Sequence, residues 1–71
     1  MPTIPDANIA AADVLTLLLH NQHAIAAAIE ELALWAKAGG SPFTHESVVA
    51  SLETLDKNAS AISDGILKLR Q

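Results

Sequence analysis

The residues whose type and spacing could support a reaction or a ligand are few: His20, His23 and His45, the pair Glu30-Glu31, and the amide of Gln22. His20 and His23 stand three apart, a spacing that lets two imidazoles share one metal on a helix. A zinc site, however, needs three or four ligands, each oriented by a further hydrogen bond. No acidic residue sits at a matching position nearby, His45 belongs to a distant segment, and the chain has no Cys. Solvated surface histidines are the expectation, with no metal and no cofactor. Glu30-Glu31 would suit a carboxylate-bridged metal pair only if both side chains turned inward and a Glu-x-x-His motif accompanied them. They fall on the outward side of their helix, and that motif does not occur. No Ser/His/Asp order, phosphate-cradling glycine loop or dinucleotide fingerprint appears, so no catalytic residue is expected and the chain reads as a non-enzyme.

Gln22 is informative through its neighbours. It interrupts an otherwise apolar series, Ala11, Leu15, Leu18, Gln22, Ile25, Ile29, Leu32 and Ala36, in steps of four and three. A second series, Val48, Leu52, Leu55, Ala59, Ile62, Ile66 and Leu69, repeats the pattern. Such spacing puts all these side chains on one slowly winding stripe of a helix, the seam of a coiled coil or bundle. The amide of Gln22 would need partners there, from Asn21 or from a symmetry-related Gln22. One polar seam residue can fix register and assembly at some cost in stability.

The elements that position these residues follow from the punctuation. Met1 to Pro5 reads as an extended lead, since Pro2 and Pro5 disfavour helix in the residue before each. Asp6 is the expected N-cap of a first helix to about Ala38, ended by Gly39-Gly40. Residues 39–43 form the turn. Thr44 is the expected N-cap of a second helix to about residue 70, with Phe43 and Val48 as a hydrophobic staple. Lys68 and Arg70 suit the negative end of its dipole. So short a turn makes the helices antiparallel neighbours. The preferred register pairs Leu32 with Leu52, Ile29 with Leu55, Ile25 with Ala59, Leu18 with Ile66 and Leu15 with Leu69. A shift of half a heptad, facing Gln22 towards Ala59, is nearly as good.

The first helix is apolar well beyond one seam, with Val14, Leu19, Ala26, Ala28, Ala33 and Trp35 flanking it. That width calls for more than one neighbour. An all-α, antiparallel two-helix hairpin assembling into a four-helix bundle as a homodimer is therefore the expected architecture. The expected oligomer interface is Val14, Leu15, Leu18, Leu19, Gln22, Ile25, Ile29 and Leu32. Leu34, Trp35 and Phe43 gather near the loop end, where they either cap the core or form a patch for a partner, aromatics being enriched at interaction hot spots.

Length and composition agree. A 71-residue chain buries only about 60% of its unfolded surface. Without Cys it lacks the disulfide staple, and oligomerisation is the usual remedy. The net charge of −4, with only four cations, removes the clustered Lys and Arg that hold phosphates, so no nucleic-acid partner is expected. No apolar run approaches the about 20 residues of a membrane span. No basic region precedes an apolar stretch, so a cytoplasmic location is expected. In outline the hairpin resembles the small antiparallel hairpins that dimerise into four-helix bundles, the Rop-type plasmid copy-number regulators. The likeness covers the helical part and carries no shared motif. It implies a homodimeric bundle, while the RNA-binding role of those proteins would need a basic face that this chain lacks. The functional expectation is a non-enzymatic self-associating or protein-interaction module, with a small-ligand or metal-binding bundle built on Gln22, Asn21 and the histidines as the alternative.

Overall fold

In the computed structural model, which describes residues 3–71, two helices run antiparallel: α1 (Ile4–Ala38) and α2 (Pro42–Arg70). No strand occurs among the described residues. The start of α1 differs from expectation. Thr3, not Asp6, is the N-cap, and Asp6 is the third helical residue. The Asp6 N–H donates to Thr3 Oγ1 at 3.4 Å, while the Thr3 N–H and Oγ1–H donate to the Asp6 carboxylate at 3.4 and 3.0 Å. This reciprocal box satisfies amides that the helix leaves without partners. Pro5 fits because a first-turn residue has no use for its N–H. Of the expected extended lead, residues 4 and 5 are thus helical, and Met1 and Pro2 lie outside the described residues.

The turn is built by backbone hydrogen bonds. The Ser41 N–H donates to the Ala36 carbonyl at 3.0 Å, and the Gly40 N–H to the Lys37 carbonyl at 3.2 Å. That pattern is a Schellman motif, which requires a left-handed residue just past the helix end. Gly40 supplies it with φ +87°, whereas Gly39 keeps an ordinary φ of −77°. α2 then begins at Pro42, two residues before the expected position, with Ser41 as N-cap. Ser41 Oγ–H donates to Thr44 Oγ1 at 2.8 Å, so neither hydroxyl caps an amide of α2. Phe43 is 80% exposed and staples nothing.

The hairpin closes on a different row of α1 from the one expected. Ala12, Leu19 and Ala33 are buried and Ala26 half-buried, while Leu18, Ile25 and Leu32 are 53, 52 and 64% exposed. On α1 the residues one position on from Leu18, Ile25 and Leu32 face α2 instead, while Ile29 and Ala36 of the expected row stay half-buried, so the helix is turned by less than the roughly 100° of one residue. The α2 row holds except at one position: Leu52 and Ile66 are buried and Val48, Leu55, Ala59 and Leu69 half-buried, while Ile62 is 38% exposed. Ile66 packs against Ala12 and Leu19, within one residue of the expected Leu18 level. Small side chains at the contact let two helices approach closely, and Leu52 and Ile66 fill the space they leave. Arg70 donates to Asp13 at 2.9 Å and to Thr16 at 3.4 Å. With both partners of the ion pair well exposed it contributes little, but it marks where α2 ends. The first two turns of α1, Ile4 to Ala11, project past that point.

The result is a rod 57 × 16 × 12 Å with a radius of gyration of 16.6 Å. A compact chain of this length would have a radius near about 11 Å. Its surface of 5454 Å² exceeds the about 4,200 Å² of a compact chain of this mass. Gly65, inside α2, has open space where a Cβ would stand. Gly65→Ala should therefore stabilise the fold by about 1 kcal/mol through backbone entropy alone, raising the melting temperature by about 4–8 °C. Circular dichroism melts check this, and a fall in melting temperature would mean that the space is filled in solution.

Candidate functional site

Because the contact consumes a row of mostly small residues, the larger ones remain on one side of the hairpin. Near the middle, Leu15, Leu18 and Gln22 of α1 and Leu55 and Ile62 of α2 line an open groove. Towards the loop the same side continues as Ile29, Leu32, Trp35 and Ala36 with Thr44 and Val48. These residues share helical rows seven apart: Leu15, Gln22, Ile29 and Ala36 on α1, and Val48, Leu55 and Ile62 on α2. No charged side chain lines either stretch, among the described residues. The opposite side differs: Glu30, Glu53, Asp56 and His45 edge a groove with Leu34 and Val49.

Of the expected interface residues, Val14, Leu15, Leu18, Gln22, Ile25 and Leu32 are exposed, Ile29 is half-buried, and Leu19 is consumed inside the hairpin. Gln22, expected in an internal seam, is exposed and sits midway along the open side, because the rotation of α1 carries its row to the rim of the contact. Val48, Leu55 and Ile62 were expected only as partners within the hairpin, yet they also floor the open side. Their half-heptad rows were visible in the sequence, but their exposure depends on how α1 rotates.

Trp35 is 75% exposed on the open side, Leu34 is exposed in the acidic groove behind, and Phe43 lines neither. None of the three caps a core. Neighbouring residues on a helix point about 100° apart, so Leu34 and Trp35 reach opposite sides of a flat hairpin.

His20 and His23 are exposed, and no group of three or more potential ligands for a metal occurs among the described residues. No polar or charged residue is buried among them. No helix among the described residues is long and apolar enough to cross a membrane. No protein-family model, curated protein or solved structure matches the chain.

What the open side can do is exclude water against another apolar surface. Completing the burial of one Leu or Ile side chain stabilises by up to about 1.5–3 kcal/mol, and several such residues stand here in line. Gln22 in their midst opposes indiscriminate contact, since its amide must find polar partners once covered. Gln22→Leu is therefore expected to raise thermal stability while broadening assembly, seen as several oligomeric species in sedimentation velocity. A strongly destabilised variant with unchanged assembly would show that Gln22 serves another purpose.

Proposed function

We propose that this chain is a non-enzymatic helical hairpin whose role is self-association through its open apolar side, giving a homodimeric four-helix bundle that acts as an interaction or oligomerisation module. The observation that carries this reading is an inversion of size on α1: the row that meets α2 is mostly small, Ala12, Ala26 and Ala33 with Leu19, while Leu18, Ile25 and Leu32 stay exposed, and the grooves on that side have no charged lining among the described residues. Monomeric proteins rarely expose a continuous apolar strip of such length. The surplus over a compact chain, about 1,200 Å², exceeds the about 800 Å² per partner of a standard interface. A second hairpin fits the need because it brings the same uncharged strip, so neither partner loses a solvated charge.

The ligand-binding alternative gains no support from the geometry: the grooves are open, and the histidines do not converge. Sedimentation equilibrium should give about twice the 7.4 kDa chain mass at micromolar concentration, and a well-folded monomer would contradict the proposal. Ile25→Glu sharpens the comparison. Ile25 is half exposed in one hairpin, where a surface change alters stability by only about 0.5 kcal/mol. Loss of the dimer together with much of the helical signal is expected, because a charge would be carried into the joint.

A further inference from the structure

The open side also says how a second copy would lie on it. Resting on the self-association proposed above, we infer that two hairpins pack with their loops at opposite ends, α1 against α1, with the two Gln22 side chains at the two-fold axis.

Three features point to this arrangement. The first is the projecting end of α1. Ile4 is 79% exposed there, and α2 ends too early to cover it. If the loops lay at the same end, α1 would face the partner's α2 and both projections would stay bare. With the loops opposed, each projection crosses the loop end of the other copy, where Leu32 and Trp35 stand out.

The second feature is the sequence of the α1 rows. When α1 is laid antiparallel on itself about residues 21 and 22, its apolar row continues across the joint, and the large Leu32 falls on the small Ala11. Leu18 meets Ile25. Asn21 of each copy falls opposite Gln22 of the other, beside the axis, where each amide has both donors and acceptors to offer. In the same-end arrangement Gln22 would be pressed towards the level of Ile62, with which it shares a groove, and its amide would be covered by an aliphatic side chain at a real cost.

Size and charge agree. A side 57 Å long and 16 Å wide offers a footprint of about 900 Å², the scale of a stable two-protein interface. The loop half, residues 30 to 57, carries five carboxylates against two lysines, net −3, and the rest carries three against two cations, net −1. Opposed loops keep the two −3 halves apart.

The chain has no Cys, so a single introduced thiol gives one nitroxide per copy. Lys37 and Glu31 are both exposed, and labels on Lys37→Cys and Glu31→Cys can be read by pulsed dipolar spectroscopy beside sedimentation of the same samples. With opposed loops, the helical rise puts the pair at Lys37 about 45 Å apart and the pair at Glu31 about 28 Å apart. With loops together, both distances fall below about 25 Å and barely change between the two sites. A dimer showing the short, unchanging pair overturns the arrangement and leaves self-association standing. A helical monomer without dipolar coupling overturns both.

Discussion

Two helices can approach closely only where one of them offers small side chains, and in this hairpin α1 offers Ala12, Ala26 and Ala33 around Leu19. The rest of the molecule follows from that contact. Leu52 and Ile66 of α2 fill it, and its capacity is then used up. The larger side chains one residue away, Leu18, Ile25 and Leu32, are turned about 100° off the joint. A hairpin joined this way has little interior of its own: among the described residues five are buried, two of them Ala. Conformational entropy costs on the order of 1–2 kcal/mol for each backbone residue fixed, and so thin a core is a poor match for it. Under the proposed self-association, further burial would come from a second copy.

Charge is sorted by the same rotation. Glu30, Glu53 and Asp56 fall on the side away from the large aliphatics, and the ion pair between Asp13 and Arg70 sits at the far end in solvent. The rows of Leu15 and Leu55 carry no charge along their length. An uncharged strip on a single side favours a joint between two equivalent surfaces, since each side then presents what the other needs. Gln22 and Asn21 would restrict such a joint, because a misplaced register would cover their amides without partners.

Much of this was legible in the residues, and the exceptions have physical causes. The α2 row was readable because polar residues such as Ser51, Asn58 and Ser63 flank it closely, leaving one way to face a partner. For α1, hydrophobicity could not separate the row of Leu18 from that of Leu19, since both are apolar; closeness of approach selected the smaller one. Thr3 is hard to read as a cap from sequence because its partner is Asp6 rather than the longer Glu or Gln of the usual capping box, and because Pro5 reads as a helix breaker although a first turn tolerates it. The ordinary core-capping role considered for Leu34, Trp35 and Phe43 is not met, because all three side chains point to solvent. The open strip was expected on α1, whereas the contribution of Leu55 and Ile62 emerged only with the rotation fixed.

The central claim is that folding and association are one process, and its most direct test is the dependence of thermal unfolding on protein concentration. A chain that folds by pairing gains stability with concentration through mass action. Melting followed by circular dichroism over a hundredfold range of concentration should show a melting temperature that climbs steadily, with helix lost in one transition. A melting temperature constant across that range, with full helix at the lowest concentration, would show that the hairpin stands alone and would contradict the account.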